Sequence, residues 1–282
     1  MIVGPIAVAI FAFAAIVDAQ SIAIVTPNES ALDRSVAEST RSALTGRYRV
    51  QDLDMANTSF SATGRNGEAF NMTADDARNV ASVLGCDLFI LIKSGTQRRA
   101  SIDTPDRFES FAVFFVVSGR TGRLIKWLIV SENAKDDNEA KDRLSHIAIP
   151  AALTDAVAAV WKSERTEPTA PAIEQVPEDG SPAAKNFRSP VPYRRVKPEY
   201  TRTAYLYDIT ATVEATVDLD EKGQVTRLEI TRWAGYELDE SVIKTIRSMN
   251  WRQAERNGRP LPIRFLLRYN FKKIEKDDPD NE

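Results

Sequence analysis

The residue types that most often carry enzymatic chemistry are nearly missing from this chain. Its 282 residues include one histidine, His146, and one cysteine, Cys86. A single cysteine cannot close an intramolecular disulfide, and a single histidine cannot build a His-rich metal site. Catalytic triads that set a nucleophile beside a second histidine are excluded as well. Carboxylates and hydroxyls are scattered without a motif, so a hydrolase has little support. No enzymatic activity, cofactor or metal is expected. Cys86 precedes the apolar run Leu88–Ile92 and reads as a small core residue. A formal charge of −3 and a pI near 5.5 argue against a protein that coats nucleic acid.

What remains is the chemistry of the backbone itself. Near the carboxyl end, Ile263, Phe265, Leu267, Tyr269 and Phe271 alternate with Arg264, Leu266, Arg268 and Asn270. Alternation of period two marks a strand with two unlike faces. At the border of a sheet such a strand offers free N–H and C=O groups to a second chain. Ile263, Arg264, Phe265, Leu266, Leu267, Arg268 and Tyr269 are therefore the candidate partner-binding residues. Arg264 and Arg268 have two open roles: pairing acidic residues of a partner, or solvating the sheet and deterring edge-to-edge association.

The elements that must position this strand are legible upstream. Ile209, Ala211, Val213, Ala215, Val217 and Leu219 alternate with polar residues, predicting a strand with one wet face. Asp220–Gly223 supplies a turn, and Leu228 and Ile230 mark a partner strand. Leu238, Val242, Ile246 and Met249 form one helical stripe. Asn257–Pro260 turns the chain into the last strand. The first two strands pair as a hairpin and the helix carries the chain back. The third strand then runs parallel to the second and pairs antiparallel with the first, giving the sheet order 2-1-3 with the last strand on an open edge. So small a unit is expected to be only marginally stable alone.

The amino-terminal half alternates strands and helices. Ser21–Pro27 reads as a buried strand, and Leu32, Val36, Thr40, Ala43 and Leu44 as a helix ending at Gly46. Tyr48–Leu53 reads as a second strand followed by a polar loop. Thr73-Ala74-Asp75-Asp76 opens a second helix that Gly85 stops. Asp87–Ser94 is a third strand, Phe108–Ser118 and Leu124–Ser131 form a hairpin through Gly119–Gly122, and a helical stretch over Lys135–Trp161 breaks at Pro150. The fold class is thus α+β: an α/β sandwich with a mixed sheet over residues 20–162, a linker, and a β-β-α-β unit over 193–273. The linker, 163–192, holds six of the fourteen prolines and is expected to be semi-stiff and exposed, with a reach of about 90 Å at about 3.1 Å per residue.

Residues 1–19 read as a signal peptide. Ile2–Val17 is apolar throughout, nearer a signal-peptide core than the ~20 residues of a spanning helix. Val17-Asp18-Ala19 places small residues for cleavage after Ala19, and an uncleaved short anchor is the alternative. An exported protein is expected. Residues 187–273 carry 17 Lys or Arg against 11 Asp or Glu, suiting an acidic partner, whereas the tail 274–282 carries one Lys against five acids. That tail serves solubility or folds over the basic unit as a salt-sensitive cover.

Two resemblances sharpen this. Pro198-Glu199-Tyr200, Val213–Asp218 with Gly223-Gln224-Val225, Gly235-Tyr236-Glu237-Leu238-Asp239, Trp251–Ala254 and Asn257–Ile263 together resemble the TonB C-terminal domain. Departures are Thr201 after Tyr200 and Gln253 before Ala254, where that family has proline, and Met249, where it often has an aromatic residue. The opening Ile22–Pro27, Ala81–Asp87 and Ser118–Gly122 resemble the amino-terminal module of TolB and the CsgG/LpoB-like periplasmic modules. The first resemblance implies a periplasmic interaction domain of a Gram-negative bacterium. By it, the last strand captures an extended segment of an outer-membrane TonB-dependent transporter or other envelope protein, in energy-coupled transport. A soluble periplasmic scaffold, or a protein that binds peptidoglycan, is the alternative it leaves open. The second resemblance implies a binding role without catalysis.

Overall fold

A computed structural model describes residues 20–101, 104–163 and 172–273. The expected signal peptide and acidic tail lie outside the described residues. The amino-terminal unit runs β1 (Ser21–Val25), α1 (Ala31–Thr45), β2 (Arg49–Val50), α2 (Leu53–Ser61), α3 (Ala74–Leu84), β3 (Leu88–Ser101), β4 (Thr104–Ser118), β5 (Leu124–Ala134), α4 (Asp137–Ser145) and α5 (Ala151–Ser163). Its sheet order is β2-β1-β3-β4-β5, parallel across the first three strands and antiparallel across the last three.

Strand parity divides this unit into two layers. Ile22, Ile24, Leu88, Ile90, Phe114 and Val116 face α1, α4 and α5 through Val36, Leu44, Leu144, Leu153 and Val157. Ala23, Val25, Phe89, Leu91, Val113 and Phe115 face the opposite way, toward α2 and α3. Local signals fix the helix ends. Ser30 and Asp33 form a reciprocal capping box on α1, and the buried Asp33 also accepts from the backbone and hydroxyl of Ser94 at 2.6 and 2.7 Å. Thr73 caps α3, and Gly85 ends it in the left-handed conformation, φ 62°.

One stretch differs from the sequence reading. The strand expected over 48–53 shrinks to β2, because Asp52 accepts from the backbone of Asp54 and Met55 and starts α2. Leu53, Ala56 and Phe60 then bury one helical stripe where a polar loop was expected.

The carboxyl-terminal unit contains β6 (Phe187–Arg188), β7 (Val191–Pro192), α6 (Arg202–Leu206), β8 (Ala211–Leu219), β9 (Val225–Arg232), α7 (Leu238–Ser248), β10 (Trp251–Arg252), β11 (Ala254–Arg256), β12 (Arg259–Leu261) and β13 (Ile263–Phe271). Its main sheet has the order β13-β8-β9, both pairings antiparallel, which is the predicted 2-1-3. Leu238, Val242 and Ile246 of α7 cover the face made by Val213, Ala215, Val217 and Leu219.

The linker also departs from expectation. Its described part is built into the carboxyl-terminal unit: Glu174–Val176 lies against Arg264, β6 pairs with β11, and β7 pairs with β10. Proline-rich backbone is already extended, so the residues between prolines keep donors and acceptors that a short sheet border can use. The two units also share one hydrophobic core. Phe60, Met72, Phe89 and Phe115 from the first lie in the same cluster as Val213, Trp233, Tyr236 and Leu238 from the second. The carboxyl-terminal unit thus covers the second face of the five-stranded sheet, beside α2 and α3.

Candidate partner-binding edge

The register of β13 against β8 runs without a break from Ile263↔Leu219 to Phe271↔Ala211. In an antiparallel pair, successive residues point their backbone groups alternately toward and away from the partner strand. Arg264 points away: its N–H donates to Glu174 O at 2.8 Å and its carbonyl accepts from Val176 N at 2.9 Å. By the same alternation Leu266, Arg268 and Asn270 point their N–H and C=O outward, whereas Ile263, Phe265, Leu267, Tyr269 and Phe271 are committed to β8. Among the described residues, no backbone partner faces the outer side of Leu266, Arg268 or Asn270.

Side chains follow the same parity. Ile263 and Phe271 are buried, and Phe265, Leu267 and Tyr269 are half-buried against the core. Phe265 meets Trp251 edge-on at 5.1 Å, and Phe271 stacks on Tyr200 at 6.4 Å. These five residues anchor the strand. On the other face Leu266 is 52% exposed.

The arginines of β13 are already engaged. Arg264 donates Nε and Nη2 to the two carboxylate oxygens of Asp218 at 2.6 and 2.7 Å, a bidentate pair. Bonding to Asp218 raises the Arg264 pKa above its ordinary value. Arg268 Nε donates to Glu214 at 2.8 Å, and Arg232 approaches the same carboxylate from the other side. Asp218 is 1% exposed and Glu214 7%. The burial of Glu214 and Asp218 corrects the expectation of a wet face on β8. A central strand has neighbours on both sides, and long arginines from β13 and β9 fold over the carboxylates between them. Arg264 is thus held inside the sheet, whereas the Arg268 side chain is 61% exposed and bonds Glu214 through Nε.

The other border of the sheet, along β9, is pinned at its end. Thr73 pairs with Arg232 as an antiparallel bridge, and Arg123 binds Glu229 at 2.8 Å. Asn71 places its side chain between Thr212 and Trp233, donating to both carbonyls at 2.8 and 2.7 Å and accepting from Thr212 N at 3.0 Å. Trp233 packs on Phe115 and donates its indole N–H to Gly122 O at 3.2 Å. Next to it, Gly235, Tyr236 and Glu237 have φ of 70°, 51° and 64°. That backbone drops the Tyr236 ring onto Trp127 at 5.5 Å and beside Phe115 at 5.9 Å. Thr201, one of the family departures, donates to Tyr236 O at 2.6 Å and caps α6.

Asp239, in the first turn of α7, holds this loop by accepting from Ala234 N and Gly235 N at 2.9 and 2.8 Å. Burial pushes its carboxyl up to about 7 despite those donors. Further along the interface, Glu109 accepts from Arg99 at 2.6 Å and from the Tyr207 hydroxyl at 2.9 Å. Burial works to raise the Glu109 pKa, but the bonds from Arg99 and Tyr207 prevail and hold it below its usual value. A cleft of about 410 Å³ lies between the units, lined by Arg123, Lys126, Trp127, Glu229, Asp239 and Glu240 among others. Sequence reasoning missed Asn71, Tyr207 and Trp233, which have no local motif. The only signal was the Gly235–Asp239 text, a turn that demands left-handed backbone.

Among the described residues, no group of three His, Cys, Asp or Glu side chains is placed to hold a metal ion, and no helix is long and apolar enough to cross a membrane. Burial pushes the Cys86 thiol up to about 12, which suppresses thiolate reactivity.

Comparison with known proteins bears on this geometry. Residues 196–272 match the family model described as the Gram-negative bacterial TonB protein C-terminal. No curated protein matches the chain. Solved structures that align with parts of the chain include lipoprotein GNA1162 from Neisseria meningitidis, with 16% identity over 52% of this chain and 99% of that one, TM-score 0.31. The TonB carboxyl-terminal domain of Pseudomonas aeruginosa aligns with 18% identity over 35% of this chain and 97% of its own, TM-score 0.27. The LpoB carboxyl-terminal domain from Salmonella enterica has 15% identity over 42% and 84%, TM-score 0.26.

Proposed function

We propose that this chain, whose residues 196–272 are a TonB-type carboxyl-terminal domain, is a periplasmic interaction protein that binds an extended segment of an outer-membrane transporter on β13. The observation that carries the reading is the outward backbone of Leu266, Arg268 and Asn270, which has no partner among the described residues at the border of an antiparallel sheet. Affinity there comes from main-chain hydrogen bonds, and selectivity from side chains next to Leu266. Arg264 and Arg268 serve the site indirectly, because their pairs with Asp218 and Glu214 keep β13 in register.

The test follows from the parity of the strand. Leu266→Pro removes one outward donor and leaves the ladder to β8 intact, as proline does on edge strands. Proline at Phe265 would instead break that ladder and unfold the sheet. The full chain should bind synthetic peptides from the extended plug segments of the cell's outer-membrane transporters. Leu266→Pro should reduce that binding at least tenfold with an unchanged melting curve. Equal binding by both proteins refutes the reading.

A second reading, a soluble periplasmic scaffold or peptidoglycan-binding protein without energy transduction, is favoured by one feature. The carboxyl-terminal unit is docked through a shared core rather than held on a long free tether. Amino-terminal sequencing of the mature protein separates the two. A chain starting at Gln20 has no direct coupling to an inner-membrane motor, whereas an intact Met1 in the membrane fraction retains it.

A further inference from the structure

We infer that Glu174–Val176 is a built-in occupant of the binding border, a placeholder that an incoming strand must displace to use the full length of β13. The inference rests on the proposed use of that edge and adds its regulation. Four residues of β13 turn their backbone outward, and the segment claims the first, Arg264, through both its N–H and its C=O. The pairing is parallel, Gln175 opposite Arg264. Two further contacts hold the segment: Arg256 forms an ion pair with Glu174 while donating to Ala183 O at 2.8 Å, and Val176 packs half-buried against the core.

The occupant is short. The next rung of a parallel ladder would need Leu266 N–H to donate to Val176 O and Glu178 N–H to donate to Leu266 O; neither bond forms, and the chain instead turns where Ser181 N–H donates to Glu178 O at 3.1 Å. Upstream, Pro262 precedes Ile263, so β13 has no donor to offer there. The segment therefore fits a single rung and no more. One rung contributes little on its own, and its hold depends on being tethered nearby, where effective concentrations reach the millimolar range. An external strand that needs Arg264 sees a site whose competent fraction is reduced by this occupancy, and its apparent affinity falls in proportion. A strand that stops at Leu266 escapes the competition, so the placeholder favours short or firmly held partners.

Val176→Pro in the full chain removes the segment's one donor to Arg264, and Glu174→Ala, which breaks only the Arg256 pair, is the milder companion. Hydrogen exchange should show the Arg264 amide protected in the wild type and exchanging as fast as Leu266 in Val176→Pro. A synthetic peptide spanning residues 172–178 should restore protection to that amide at millimolar concentration. Transporter peptides should bind Val176→Pro about tenfold more tightly than the wild type, with Glu174→Ala between. A wild-type Arg264 amide that exchanges as fast as Leu266, or an opened variant that fails to recapture the 172–178 peptide, overturns the inference. If transporter peptides bind wild type and Val176→Pro equally and Leu266→Pro abolishes binding, the edge stands and the placeholder falls. If the 172–178 peptide is recaptured and no transporter peptide binds, the placeholder stands and the transporter reading falls.

Discussion

The two borders of the three-stranded sheet are held differently. The β9 border is pinned to the amino-terminal unit at one end by the Thr73–Arg232 bridge, the Arg123–Glu229 pair and the Asn71 clamp. The β13 border keeps three outward backbone positions open among the described residues. A sheet with two free borders risks indiscriminate pairing. Pinning one end of a border within the chain orients the sheet and ties it to the amino-terminal unit.

That contrast can be broken most forcefully at its pinned side. Trp233→Ala removes a buried ring lodged on Phe115 and should cost about 4 kcal/mol. In urea its single unfolding transition should split into two as the units uncouple; a lone, merely shifted transition would mean that the units are coupled by something other than this ring. Arg264→Ala attacks the open side by leaving the buried Asp218 carboxylate uncompensated, a loss of about 3 kcal/mol in the same titration. Gly235→Ala returns to the pinned side. Its φ is 70°, and a Cβ there would sit 2.8 Å from the Phe115 ring, for a loss of about 2 kcal/mol.

Dependence on pH sharpens the comparison further. Asp239 binds its proton near pH 7 when folded and near 4 when unfolded. The folded state therefore holds more protons between those values, and stability falls as pH rises from about 4 to about 7, by at most about 1.4 kcal/mol per unit. Asp239→Asn should flatten that slope. Glu109 acts with the opposite sign, because its pKa is held low: its contribution is present above an unfolded value near 4.3 and lost as pH falls below it. The smallest effect belongs to the open border. Leu266→Ala should change stability by less than about 0.5 kcal/mol, while weakening any strand that docks beside it.

How much of this was readable beforehand depends on where the information lies. Strand order 2-1-3 followed from alternation over Ile209–Leu219 and Ile263–Phe271 and from one helical stripe, all local patterns. Parity tells which residues of β8 share a face but not what roofs that face, so alternation alone puts Glu214 and Asp218 on a wet side. Helix α2 escaped because Asp52 closes an alternating run and opens a helix at the same place. The placeholder and the pinned border escaped for a different reason. Asn71, Glu174, Tyr207 and Trp233 act on partners far away in the chain, and nothing in their own neighbourhoods announces it.

The unbroken register between β13 and β8 has a mechanical consequence. A strand annealed to β13 and tugged along its length would load nine residue pairs at once in shear, and Thr212 of β8 would pass that load to Asn71, just ahead of α3, and on to Trp233, whose ring rests on Phe115 of β4. Traction applied at the border would thus reach the amino-terminal unit directly, as in a handle cast in one piece with its blade.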